Sequence, residues 1–270
     1  MNEKHQIVVD DPDVVANKIK DLVGEGKTVF EHLLSLIHDE LDAISKIEES
    51  VTVIQLLNQS TIRLGARFHS AAQAGLMLIS TGQIVPSLTM SRDMAEILSL
   101  LRFLHKHPKE ATNFMKSTSL KERKRFSLQK VYKSIPEGQR YKDQFDLASS
   151  MVHPSSIALG ANFRPEPSGE VSVFIGPFYQ PYSIAIEFQT EIASSFEAVW
   201  LLDSWYKESP SWPVKTSDLL ILRKAMLEYL IQLRNKAEEQ DAQLEVTLKY
   251  IKGKSPEQIE AIWKKIDKRD

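Results

Sequence analysis

Ser87–His107 reads SLTMSRDMAEILSLLRFLHKH. Met90, Met94, Ile97, Leu98, Leu101 and Leu104 recur at spacings of three and four, the period of one helix face. Leu88, Leu100 and Phe103 occupy the other side, so this helix is apolar nearly all round, and such helices are buried among others. Ser87, after Pro86, reads as its cap, and Pro108 stops it. The stretch predicts an all-α chain: a multi-helix bundle wrapped around a central helix.

Working outward, the flanking segments repeat the pattern. DDPDVVANKIKDLVGEG (10–26) places Pro12 at a first helical position and ends on glycine. VFEHLLSLIHDELDAISKIEE (29–49) is amphipathic. VIQLLNQSTIRLGARFHSAAQAGLMLIS (53–80) is rich in Gly, Ala and Ser, which lets neighbours approach closely. Three further helices are expected over 108–116, 119–135 and 136–153, the last started by Pro136. Around 161–180 proline and glycine flank the alternating run VSVFI, which predicts a short inserted β-hairpin. Helix resumes at Tyr182, and a long C-terminal helix is expected from Ser217 to about Ile251. Leu219, Leu222, Met226, Tyr229, Leu230 and Leu233 lead its stripe. The divisions read as N-terminal helices (1–50), a main helical unit (51–251) and a short C-terminal helix (252–270), all one domain.

The composition is that of a globular protein: 42% hydrophobic, 26% charged, net charge −2 over 270 residues. No cysteine is present, which removes disulfides and thiolate chemistry. No apolar signal core or membrane-length run is seen, so a cytoplasmic location without membrane partners is expected. The phosphate-loop, H-E-x-x-H, di-iron Glu-x-x-His and G-x-S-x-G patterns are all missing, so no cofactor or metal is called for.

Three constellations remain. Arg92 and Glu96 lie one turn apart, as either a partly buried pair or a surface one. Ser149 and His153 share a helix face that Pro154 ends, so a helix dipole would raise the imidazole pKa while Ser149 fixes its tautomer. The alternative is a structural helix-end histidine. Between Lys116 and Lys142, nine basic residues face two acidic ones, giving +7 and leaving −9 for the rest. Lys121, Arg123, Lys124, Arg125, Lys130, Lys133 and Arg140, interleaved with Phe126, Tyr132 and Tyr141, suit a phosphate-bearing partner such as RNA. A solvated helix face would look the same. His105 and His107 could clip a metal but lack a nearby carboxylate.

On these residues the chain resembles a prokaryotic family of helical proteins known only as a domain of unknown function. Arg92 and Glu96 match its Arg-x-x-x-Glu, and Tyr141 with Ser149 and His153 match its Tyr…Ser-x-x-x-His, over roughly 50–205. The resemblance implies an all-α fold and no established reaction. A more distant similarity is to HEPN domains, some of which are metal-independent ribonucleases of toxin and antiviral systems. Arg63 to His69 and Arg102 to His107 fit their Arg-to-His spacing, but an apolar residue follows each arginine where the signature has a polar one.

Two functions of different class follow. The first is a HEPN-like ribonuclease or defence effector acting on RNA. In it His153 is general acid/base or stabilises charge on the phosphate, Arg92 binds phosphate, Glu96 orients Arg92, and Ser149 and Tyr141 complete the site. The second is a non-catalytic helical interaction or regulatory protein in which the same five residues form a buried network. A protein partner or homodimer would use the long C-terminal helix.

Overall fold

The computed structural model describes residues 5–117, 126–152, 163–165, 171–174 and 176–240. Among them are nine helices: α1 (Pro12–Val23), α2 (Gly26–Ser45), α3 (Thr52–Ser80), α4 (Ile84–Lys106), α5 (Glu110–Lys116), α6 (Leu128–Ser134), α7 (Gly138–Val152), α8 (Pro181–Tyr206) and α9 (Thr216–Gln240). The chain is an all-α bundle with one small sheet. The predicted hairpin is present, β2 (Phe163–Pro165) pairing antiparallel with β3 (Val171–Phe174). A third strand, β1 (His5–Val8), joins it parallel to β3, in the order β1–β3–β2.

Helix ends follow local chemistry. The Asp11 side chain accepts from the backbone N–H groups of Asp13 and Val14 at the start of α1, with Pro12 in the first turn. Gly24 ends α1 at φ +50, a conformation glycine adopts without strain. Two expected starts shift. α4 begins at Ile84, so Pro86 sits within its first turn, and Ser87 is a buried helical residue whose hydroxyl donates to the Ile84 carbonyl. First-turn N–H groups have no helical acceptor, so proline there removes nothing. α7 begins at Gly138, two residues after Pro136.

α2 and α3 run antiparallel, with Leu41 packed on Gly65 and the His38 ring 6.4 Å from that of His69. α3 and α4 are antiparallel, Thr61 meeting His105 and Arg67 pairing with Asp93. α8 runs parallel to α4, Ser91 meeting Glu187 and Arg102 meeting Glu197. α7 and α9 run antiparallel to α8, through Gln144 with Ser194 and through Thr216 with Asp203. As its all-round apolarity requires, α4 is central: Met94, Ile97, Leu98, Leu101 and Leu104 are buried on one side, and Leu88 and Leu100 on the other. Phe30 and Phe188 are fully buried and pack edge-to-face, centroids 6.0 Å apart, a geometry adding about 0.5–1.5 kcal/mol beyond burial.

None of the helices among the described residues is long and apolar enough to cross a membrane. α9 buries Leu219, Met226 and Leu233 of its predicted stripe and leaves Leu220, Ile221, Leu227 and Ile231 exposed. Its expected continuation beyond Gln240, and the short helix over 252–270, lie outside the described residues.

Candidate functional site

Of the five residues singled out in the sequence, the four that are described fall in two places, Arg92, Glu96 and Ser149 apart from Tyr141. Arg92 and Glu96, both half-buried on α4, make no ion pair with each other; the Arg92 guanidinium instead lies 4.4 Å from the centre of the Phe145 ring on α7. Burial raises the Glu96 pKa, opposed by the Arg67 cation and reinforced by Asp93. Ser149 is one turn beyond Phe145, and its sealed hydroxyl has no hydrogen-bond partner among the described residues. His153, with Lys121, Arg123, Lys124 and Arg125, lies outside the described residues. Lys130 and Lys133 are exposed on α6.

Tyr141 belongs to a different network. It is fully buried, with its hydroxyl donating to Glu197 Oε1 and accepting from Arg102 Nε at 2.7 Å. Arg102 also donates Nη2 to Glu197 at 2.9 Å and Nη1 to Glu137 at 2.8 Å. Arg140, expected to face a nucleic acid, is held by the same Glu197 oxygen, with its guanidinium 4.8 Å from the centre of the Tyr141 ring. Tyr141 thus fastens α4, α7 and α8 together. Burial and the Glu197 carboxylate push its phenol pKa well up.

The histidine spacings have structural explanations too. His105 stacks on Trp205 at 3.6 Å and bonds Thr61 Oγ1 at 3.0 Å; burial drives its pKa down to about 3, so it is neutral. The His107 ring packs 4.9 Å from Phe103. No cluster of three or more His, Asp or Glu side chains placed to hold a metal occurs among the described residues.

What the sequence reading missed is a cleft of about 980 Å³ between α4, α7, α8 and α9. Ile84, Leu88, Ile186, Phe196, Trp200 and Met226 give it apolar walls. The hollow exists because the lining stripe of α8 carries small residues midway, Thr190, Ala193 and Ser194, opposite Ala148 on α7. At the Glu197 level stand Arg102 and Arg140, with Asp143 and Arg223 also lining the walls. Toward the α8 N-terminus sits Glu187, only 4% exposed. Its Oε1 accepts from Ser91 at 2.6 Å and Ser87 at 3.5 Å, while Oε2 has no hydrogen bond among the described residues, and the residue lines the cleft. Burial raises the Glu187 pKa to about 7, against the two serine hydrogen bonds.

Two other buried acids are closed off. Both oxygens of Glu191 lack partners, and its carboxyl fills the space over Gly75 of α3. Glu40 on α2 is fully buried and unpartnered, and burial, with Asp203 nearby, lifts its pKa to about 10. Acids at 187, 191, 197 and 203 in an otherwise apolar helix were the signal available in the sequence. No protein-family model, curated protein or solved structure matches this chain.

Proposed function

We propose that this chain is a non-catalytic helical binding protein that holds an elongated small molecule with an apolar body in the cleft between α4, α7, α8 and α9. One observation carries the reading: a cavity of about 980 Å³ with apolar walls and a few convergent polar groups, the usual form of a ligand site. The Arg102–Tyr141–Glu197–Arg140 network supports it as scaffolding, since its polar groups are spent on one another and hold three walls of the cleft in register. A ligand that binds only the folded state raises its melting temperature, by an amount equivalent to about 2.7 kcal/mol at a hundred times Kd. Titrating 1-decanol should raise the melting temperature of the wild type and leave that of Ala193→Phe unmoved, because the added ring fills the hollow. Equal shifts in both proteins would refute the site.

A second reading, an RNA-cleaving effector, draws on one observation. Stacking of Arg92 on Phe145 sets the Arg-x-x-x-Glu helix against the helix that carries Ser149. It predicts RNA cleavage in the presence of EDTA that His153→Ala abolishes. Cleavage surviving that substitution would remove His153 from the chemistry.

A further inference from the structure

We propose that the occupant of the cleft is a cationic amphiphile, an ammonium group on an apolar chain, with the ammonium seated on Oε2 of Glu187. This deepens the binding reading above and rests on it.

Glu187 is almost wholly buried, yet its partners among the described residues are two neutral hydroxyls, both on Oε1. The second oxygen has no hydrogen bond among the described residues, and Glu187 lines the cleft. A buried carboxylate is costly unless a cation and further hydrogen bonds complete it. Among the described residues the cations nearest this level are engaged elsewhere: the Arg92 guanidinium lies on the Phe145 ring, and Arg234, beside Tyr182, pairs with Glu238. Arg102 and Arg140 are committed to Glu197, ten residues further along α8, or about 15 Å along the helix axis. Arg223 projects from the α9 wall, and α9 runs antiparallel to α8 with Leu230 beside Gln189 and Thr216 beside Asp203. That register puts Arg223 near Phe196, again far from Glu187. Asp143 on α7 and Tyr182 on α8 complete the ionisable lining, and Glu191, one turn from Glu187, is turned away over Gly75.

A ligand ammonium supplies the missing charge and donates to the free oxygen. From there an alkyl or aryl body runs over Thr190 and Ala193 to Phe196 and Trp200, about 20 Å along α8. The small residues in the middle of that path leave room for methylenes, and the aromatic residues close the far end. The acid orients the molecule: its charged end is drawn to Glu187, while at the other end Arg102 and Arg140 are already paired with Glu197 and Glu137.

Decylamine, 1-decanol and decanoate share one chain length and differ in head charge, so titration calorimetry on the full chain separates head from body. Decylamine should bind wild type at about pH 8 at least about tenfold more tightly than 1-decanol, the gain expected of a charge-assisted hydrogen bond. Glu187→Gln should erase that preference, so that decylamine and 1-decanol bind it about equally. On the wild type, where folding of a variant is not at issue, the preference should shrink between about pH 8 and about pH 6 as Glu187 takes up a proton. A preference absent from wild type, one that survives Glu187→Gln, or tighter binding of decanoate overturns the ligand assignment and leaves the cleft reading standing. Failure of all three probes to bind overturns the cleft reading as well.

Discussion

Tyr141→Phe removes one oxygen from the centre of the bundle and leaves everything else in place. The ring is fully buried, so the phenylalanine ring fills the same space. Lost are a hydrogen bond donated to the Glu197 carboxylate and one accepted from Arg102 Nε at 2.7 Å. Hydrogen bonds to charged groups contribute about 1.5–3 kcal/mol net. Glu197 Oε1 keeps Arg102 at 2.9 Å and Arg140 at 2.5 Å, so no charge is orphaned and the lower part of that range applies, about 2 kcal/mol. For a chain of this size that is a fall in melting temperature of roughly 4–8 °C. Thermal unfolding followed by circular dichroism measures it. Combining the change with Glu197→Gln should give a total loss smaller than the sum of the single losses by about 0.5 kcal/mol or more, because both variants break one network. A melting temperature within about one degree of wild type, or strict additivity, would refute the claim that Tyr141 fastens α4, α7 and α8.

The glycine stripe of α3 and the buried ionisable groups carry further predictions. Gly75→Ala would drive a methyl group into the sealed Glu191 carboxyl and should cost about 1–3 kcal/mol, whereas Gly65→Ala meets only the movable end of Leu41 and should cost less; urea melts rank the two. Stability should also peak in mild acid. Glu40 keeps in the folded state a proton that the unfolded chain releases above 4.5, so stability falls as pH rises from there to about 10, by about 1.4 kcal/mol per pH unit. Glu191, raised by burial, adds to that slope. His105 stays neutral when folded down to about 3 while the unfolded chain protonates below 6.5, so stability falls as pH drops through that window. The Glu40 and His105 slopes offset each other between 4.5 and 6.5. With Glu191 and Glu187, both raised by burial, still losing stability as pH rises, melting temperature should be highest near the acid end of that window, and Glu40→Gln should make the alkaline limb shallower; an unchanged limb would mean Glu40 is ionised in the fold.

The bundle was legible because its signals are local. The all-round apolarity of Ser87–His107 announces the buried α4, and Asp11, Pro12 and Gly24 mark both ends of α1. β1 was not legible: its partner β3 lies beyond seven of the described helices, and parallel pairing leaves no turn motif to read. The site suffered in the same way. Spacing places Arg92 and Glu96 on one face, but a cation on an aromatic ring of another helix is a tertiary choice that spacing does not encode. Arg102 and Glu197 are 95 positions apart, and only the fold brings them together. The cleft is a matter of side-chain volume: small residues at 190, 193 and 194 make a void only once α7 and α9 are docked alongside.

The central claim is that this void takes a ligand, and Trp200 in its wall reports on it directly. Titration of decylamine against tryptophan fluorescence should give a saturable change in wild type. The change should vanish in Trp200→Phe for want of the reporter, and in Ala193→Phe for want of space. A saturable change in Trp200 emission that persists undiminished in Ala193→Phe would contradict the account, since binding would then lie outside the cleft.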